Sequence, residues 1–133
     1  MNFKRTILSV TLIILSLSLY SLASQIKMYT YVDGNNNIYT ITPDSINYEP
    51  ITPDESSSGE YSGGEPKKVQ ISEQQFLRIE VLIKSILTAK EIQQKNREMG
   101  CGTLLAGKKT IYINSSSQQK ADLENELKSV LNK

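Results

Sequence analysis

The stretch QIKMYTYVDGNNNIYTIT, residues 25–42, decides the predicted fold. Its first eight residues alternate in side-chain character with a period of two and are rich in aromatic and β-branched residues, which is typical of a β-strand. Residues 33–37 (DGNNN) concentrate Asp, Asn and Gly, which tolerate a positive φ and therefore indicate a turn. Residues 38–42 (IYTIT) return to the strand pattern, so the whole stretch predicts a β-hairpin.

Further strands are predicted downstream of this hairpin. Residues 45–51 predict a short third strand, with Pro43 and Pro50 marking its ends because proline supplies no backbone donor. Residues 67–71 (KKVQI) predict another short strand or an extended lead-in to the helix that follows. Two short apolar segments flank a Gly-Lys-Lys turn within residues 103–114, and they predict a second hairpin.

The strongest helical pattern begins after Ser72. Ser72 and Gln75 form a capping-box signature, which marks a helix N-terminus. Apolar side chains then recur at helical spacing on one stripe, formed by Phe76, Ile79, Leu82, Ile83, Ile86 and Leu87. Glu80 lies off this stripe and is expected on the solvated surface. Residues 90–99 extend the helix as a charged segment before Gly100, so we predict a helix over about residues 73–95.

A second amphipathic helix is predicted at residues 117–132. Its apolar stripe is formed by Leu123, Leu127, Val130 and Leu131. Each helix has a single apolar stripe, so each needs a sheet or the other helix for burial. We therefore predict an α+β fold in which a small antiparallel sheet, built from the hairpins at 25–42 and 103–114, is packed by the two helices. Residues 24–133 suit one domain.

The segment 52–66 interrupts this pattern with a composition rich in Ser, Gly and Pro. Long segments without regular structure inside a small domain are uncommon and are either functional or disordered. The composition favours a flexible loop. A surface insertion and a recognition loop both stay open as interpretations.

The N-terminus carries an export pattern. Lys4 and Arg5 precede an apolar stretch over residues 7–23, and the small residues Ser21 and Ala23 match a signal-peptidase site. We expect residues 1–23 to be a signal peptide, which places the domain in the periplasm or outside the cell. The alternative is a retained membrane anchor at residues 7–23, close to the lower limit of the roughly 17–25 residues that span a bilayer.

The composition excludes several kinds of chemistry. The chain has no His, so a Ser-His-Asp or Cys-His relay cannot be built, and one Cys without His does not make a usual zinc site. The net charge of +1 gives no field that collects nucleic acid. We expect no cofactor, no metal and no catalytic residues. Cys101 stands alone between two glycines, where it is either an inert, buried small hydrophobe or, if partly exposed, the partner in a disulfide-linked dimer.

Two groups of residues are candidates for binding a partner. Tyr29 and Tyr31 belong to a set of strand tyrosines whose rings bind glycan or peptide if they face outward, or pack under the helices if they face inward. Tyr61, Gly63 and Gly64 lie in the 52–66 segment, where glycines permit a close backbone approach.

The first turn is a candidate cation site. Asp33, Asn35 and Asn37 alternate as in a calcium loop, with Asp44 further on, although the glycine needed at the sixth position is replaced by Ile38. Asparagines are also what a hairpin turn favours by itself.

These observations predict a function by exclusion. We expect an exported, non-catalytic domain that binds an unknown protein or glycan at the cell envelope or outside the cell, with no nucleic-acid partner and with membrane contact only through the leader. A membrane-tethered interaction protein is one alternative. A hydrolase that uses two carboxylates is another, and it requires two acidic side chains that converge in a cleft.

Overall fold

A seven-stranded antiparallel sheet with two α-helices forms the part of the chain, residues 27–132, that the computed structural model describes. The strands are β1 (Tyr29–Val32), β2 (Ile38–Ile41), β3 (Ser45–Glu49), β4 (Lys67–Gln70), β5 (Gln93–Gln94), β6 (Gly102–Ala106) and β7 (Lys109–Ile113). The helices are α1 (Glu73–Thr88) and α2 (Gln118–Leu131). The sheet order is β4-β3-β2-β1-β6-β7-β5, which confirms the predicted α+β fold and both hairpins.

The predicted signal peptide or anchor, residues 1–23, lies outside the described residues, as do the first two residues of the predicted hairpin. Over residues 27–132, neither helix combines the length and the apolar character needed to cross a membrane.

The β1–β2 turn is closed by the side chain of Asp33. Its Oδ1 accepts hydrogen bonds from the backbone N–H groups of Asn35 (2.8 Å) and Asn37 (3.0 Å). Asn36 takes up the left-handed conformation, with φ of 71°. Asn adopts this region more readily than most residues, so the DGNNN pattern and the observed turn have the same physical cause.

The strand tyrosines of the first three strands face the helices. Tyr31, Tyr39 and Tyr48 stand opposite one another on β1, β2 and β3, with ring centroids 6.0 and 4.9 Å apart. The Tyr31 hydroxyl reaches Glu124 of α2, and the Tyr29 hydroxyl reaches Glu80 of α1. The alternative that these tyrosines pack under the helices therefore describes the observed arrangement.

Helix α1 is shorter than predicted and ends at Thr88. Gln93 folds back, and its Nε2 donates to the carbonyls of Ile86 (2.9 Å) and Leu87 (3.3 Å), which satisfies carbonyls left free at the helix end. The chain then makes a short helical turn, Lys90–Ile92, and enters the edge strand β5. The charged residues beyond position 90 are compatible with a helix. They include no apolar stripe that would pack such a helix against the sheet.

Glu80 is buried, with 4% of its surface exposed, although its position predicted a solvated side chain. Lys27 Nζ (2.9 Å), the Tyr29 hydroxyl (3.1 Å) and Lys84 Nζ (3.2 Å) all contact its carboxylate. The contact with Lys27 is the main cause that holds the pKa of Glu80 below its ordinary value, against the burial that raises it. Two lysines and a tyrosine therefore offset the cost of burying this charge.

A second buried tyrosine–carboxylate pair joins β1 to α2. The Tyr31 hydroxyl donates to Glu124 Oε1 at 2.7 Å, and Lys120 Nζ lies 2.9 Å from the same oxygen. Burial raises the pKa of Tyr31 far above its ordinary value, so the hydroxyl stays protonated and donates. The ring passes directly over Gly102, where a Cβ would lie 2.5 Å from the tyrosine oxygen. A glycine at this position makes room for the tyrosine.

Cys101 is 1% exposed, and its Sγ donates to Gln94 Oε1 at 2.6 Å. The partial exposure expected from the two flanking glycines is therefore wrong. Loop segments with glycine neighbours are commonly exposed, but this one packs on the sheet next to β5 and β6. A dimer through Cys101 stays a prediction that this burial disfavours.

Candidate functional site

Three loops meet at one end of the sheet. They are the β1–β2 turn at residues 33–37, the segment 51–66 between β3 and β4, and the segment 95–101 between β5 and β6. Gly34 lies so close to the last of these that a Cβ at Gly34 would be 2.7 Å from the Gly100 carbonyl oxygen. Arg97 Nη2 donates to Asn36 Oδ1 across the same contact. The turn and the 95–101 segment are thus held together by backbone packing and by a side-chain hydrogen bond.

Asn37 fastens the 51–66 segment to the β1–β2 turn. Its side chain is 3% exposed; Oδ1 accepts from the Ile51 N–H (3.1 Å), and Nδ2 donates to Asp33 Oδ2 (2.8 Å) and to the Tyr61 hydroxyl (3.2 Å). The Gly63 N–H donates to the Ile51 carbonyl at 3.1 Å. This buried amide connects two segments of the chain that the sequence pattern does not associate.

The 51–66 segment also contacts β3 and contains regular structure of its own. The Tyr48 hydroxyl donates to the Gly63 carbonyl at 2.7 Å. A short helical turn, Pro53–Glu55, begins after Thr52, whose N–H and hydroxyl donate to Glu55 Oε2 at 2.9 and 2.8 Å. These two hydrogen bonds hold the pKa of the Glu55 carboxyl below its ordinary value. The flexibility expected from the composition of residues 52–66 stays a prediction.

The first of two neighbouring cavities lies between all three loops and has a volume of about 750 Å³. Its polar walls come from Asn35, Asn36, three successive serines, Glu55, Arg97 and Glu98, and its apolar walls from Ile51, Tyr61 and Met99. Amides, hydroxyls and carboxylates therefore share the lining of this cavity with apolar surface, which includes one aromatic ring.

The second cavity is lined by the β1–β2 turn and by the 51–66 segment, but not by the 95–101 segment, and has a volume of about 580 Å³. Its walls include three tyrosines, Tyr39, Tyr48 and Tyr61, together with the C-terminal end of α2. Asn35 and Tyr61 line both cavities. We call the two cavities together the Tyr61 cleft, because the 38% exposed ring of Tyr61 stands between them.

The charged groups of the cleft are largely engaged within the protein. The two oxygens of Asp33 accept three hydrogen bonds from the turn, and Arg97 donates to Asn36. In the second cavity, Lys67 Nζ donates to the Leu131 carbonyl at the end of α2. Two carboxylates, Asp33 and Glu65, and two lysines, Lys67 and Lys128, line the second cavity, so its formal charges are equal in number.

The predicted site residues fall into two groups. Tyr61 and Gly63 line the cleft, and Gly64 follows them with φ of 99°, a conformation that favours glycine. Tyr31 is fully buried and lies outside any surface that a partner reaches, and Tyr29 is half-buried against Glu80. The reason is the register of β1, which turns both rings toward the helices.

Sequence reasoning missed the contribution of residues 97–99. Arg97, Glu98 and Met99 line the first cavity, but their charged pattern indicated a helical extension. Asn35 was considered as a turn residue and as a cation ligand, and Asn36 only as a turn residue. The signal available in the sequence is Gly100, because a glycine at this point indicates a turn. In the structure Gly100 has a φ of 78° and lies next to the β1–β2 turn.

The proposed calcium ligands do not converge. Both carboxylate oxygens of Asp33 accept hydrogen bonds within the β1–β2 turn. Asp44 lies in the next hairpin and accepts a hydrogen bond from the Thr42 hydroxyl at 2.6 Å. Over residues 27–132, no three acidic, cysteine or histidine side chains are grouped as metal ligands would be.

Two carboxylates, Glu55 and Glu98, line the first cavity. A general acid that protonates a glycosidic oxygen needs a raised pKa. The pKa of Glu55 is instead lowered by Thr52. The hydrogen bonds of Glu55 therefore favour its charged form over the protonated form that a general acid needs.

Comparison with known proteins identifies no relative: no family model matches the chain, and no match was found among curated proteins or solved structures.

Proposed function

We propose that this protein is an exported, non-catalytic domain that binds another macromolecule at the cell envelope or outside the cell, and that the Tyr61 cleft is its binding site. The observation that carries the proposal is the pair of adjacent cavities, of about 750 and 580 Å³, that share Tyr61 and Asn35. Both volumes lie within the roughly 300–1,000 Å³ of typical ligand sites.

The construction of the cleft supports recognition. Binding residues are commonly presented by loops on a rigid scaffold, and here the three loops extend from one end of a seven-stranded sheet. Asn37 and Asp33 fix the β1–β2 turn and the 51–66 segment before any partner arrives, and Arg97 joins the 95–101 segment to the turn. Preorganisation of this kind reduces the entropy lost on binding. The N-terminal leader pattern supports export, since its charged and apolar parts and its small residues follow the order of a signal peptide.

Removal of the Tyr61 ring tests the proposal. We expect Tyr61→Ala to weaken binding by about tenfold or more, because exposed aromatic rings at the centre of a site carry a large share of binding energy. Val81→Ala is the matched control, since Val81 is 66% exposed on α1 and does not line the cleft.

Each protein is expressed as the full chain, purified and immobilised. Solubilised glycan and peptide fractions of the cell envelope are then passed over the three proteins, and the amount of each fraction retained is compared. The wild type and Val81→Ala are expected to retain one fraction equally, and Tyr61→Ala to lose it while its thermal melting stays within a few degrees of the wild type. Equal retention by all three proteins, or retention by none, would show that the cleft is not the site.

A further inference from the structure

The chemistry of the cleft identifies a class of ligand. We infer that the Tyr61 cleft takes a neutral oligosaccharide that extends through both cavities, with Tyr61 packed against the sugar rings between them. This inference rests on the proposed function and specifies its partner. Its basis is the combination of a nearly balanced charge, with four carboxylates and three cations in the two cavities, bifunctional polar groups and an aromatic ring that lines both cavities.

Charge disfavours an ionic ligand. Arg97 of the first cavity stands beside two carboxylates, Glu55 and Glu98, and already donates to Asn36. In the second cavity Lys67 donates to the Leu131 carbonyl, and the lysines are matched by Asp33 and Glu65. A phosphate or a strongly acidic segment is bound by cations that converge on it. A ligand without net charge fits this balance better.

The remaining polar groups suit a ligand that is rich in hydroxyls. Amide and hydroxyl side chains each both donate and accept, as sugar hydroxyls do. The first cavity presents two such amides, Asn35 and Asn36, and the hydroxyls of Ser56, Ser57 and Ser58. The carboxylates of Glu55 and Glu98 add acceptors, and the hydrogen bonds from Thr52 hold the pKa of Glu55 below its ordinary value. Neighbouring hydroxyls on a sugar ring match such closely spaced acceptors and donors.

A peptide fits this site less well. Extended peptides are recognised by pairing with a free strand edge or by docking apolar side chains into a groove. The walls of the first cavity are turns and loops, residues 34–36, 51–61 and 97–100, and not a strand edge. Its large apolar side chains are Ile51, Tyr61 and Met99, and amides, hydroxyls and carboxylates stand between them.

Tyr61 connects the two cavities. Its ring lines both, and its hydroxyl accepts from Asn37 Nδ2 at 3.2 Å, so one edge of the ring is fixed while part of the side chain stays exposed. An aromatic ring with a polar tip packs on the C–H surface of a sugar and leaves the sugar hydroxyls to the amides and carboxylates. A chain of several sugars would contact both cavities, whereas one sugar reaches only one of them.

Calorimetry with defined sugars tests the inference. The probes are the tetrasaccharides of β-1,4-linked glucose, α-1,4-linked glucose and β-1,4-linked N-acetylglucosamine, the three corresponding monosaccharides, a sulfated disaccharide and tetra-alanine. The protein is purified after expression of the full chain. We expect at least one neutral tetrasaccharide to bind at least tenfold more tightly than its monosaccharide and more tightly than the sulfated disaccharide or tetra-alanine.

Variants separate the role of the ring from that of its hydroxyl. Tyr61→Phe is expected to keep the binding of that tetrasaccharide within about threefold, Tyr61→Ala to weaken it at least tenfold, and Val81→Ala to leave it unchanged. Equal affinity for tetrasaccharide and monosaccharide, preference for the sulfated sugar or tetra-alanine, or no binding of any neutral tetrasaccharide would overturn the inference. If the envelope peptide fraction still requires Tyr61, the proposed binding function survives while the assignment to a neutral glycan fails.

Discussion

Gly102→Ala is expected to lower the free energy of unfolding by about 2–3 kcal/mol, the upper part of the roughly 1–3 kcal/mol that an added carbon costs in a well-packed core. A Cβ at this position would lie 2.5 Å from the Tyr31 hydroxyl oxygen and 2.9 Å from the ring. Tyr31 is fully buried between β6 and α2, so it cannot move aside without losing the 2.7 Å hydrogen bond to Glu124. The clash and the lost hydrogen bond therefore act together. Urea denaturation followed by circular dichroism measures the change.

The matched control is the same substitution in a Tyr31→Phe background. Removal of the hydroxyl takes away the closest contact, so Gly102→Ala should cost at least about 1 kcal/mol less there. Tyr31→Phe alone should cost about 1 kcal/mol, because Glu124 keeps its contact with Lys120 after losing the tyrosine. Equal costs of the glycine substitution in both backgrounds would contradict the assigned contact.

Asn37→Ala is expected to lower the free energy of unfolding by about 2–3 kcal/mol and to release the 51–66 segment from the β1–β2 turn. The substitution removes one acceptor and two donor contacts of a side chain that is 3% exposed. It also leaves the buried carboxylate of Asp33 with one donor fewer. Asn35→Ala is the control, because the Asn35 side chain is exposed and only its backbone N–H contacts Asp33.

Hydrogen exchange locates the effect of Asn37→Ala. The Gly63 amide, which donates to the Ile51 carbonyl, should exchange about 30-fold faster or more, in line with a local loss of about 2 kcal/mol. The amides of α1 should exchange with less change, since no residue of α1 lines either cavity. Unchanged protection at Gly63 would mean that Asn37 does not fasten the segment.

Local patterns in the sequence predicted most of the fold. The DGNNN turn and the Ser72 cap are set by neighbours within four residues, and the structure has both: Asp33 closes the turn, and Ser72 Oγ accepts from the Gln75 N–H at 3.2 Å. The end of α1 was not predictable in the same way. It depends on Gln93 bonding back to Ile86 and on the pairing of β5 with β7.

The candidate site was predictable only in part. Tyr61 and Gly63 were identified because an aromatic residue and a glycine stand out in a polar segment. The role of Asn37 was hidden, since its contact with Tyr61 spans 24 positions and nothing local distinguishes it from Asn35. Tyr31 was misleading for a related reason: the alternation of β1 defines two faces but does not say which face the helices cover.

The most direct test of the account is an amide chemical-shift map of the ¹⁵N-labelled protein, titrated with the envelope fraction that it retains, with the ligand signals recorded in the same samples. The account predicts shifts confined to residues that line the two cavities, above all Asn35, Asn36 and Tyr61, while the ligand keeps its covalent structure. Shifts centred on the exposed face of α1 around Val81, or the appearance of cleavage products, would contradict binding without catalysis at the Tyr61 cleft.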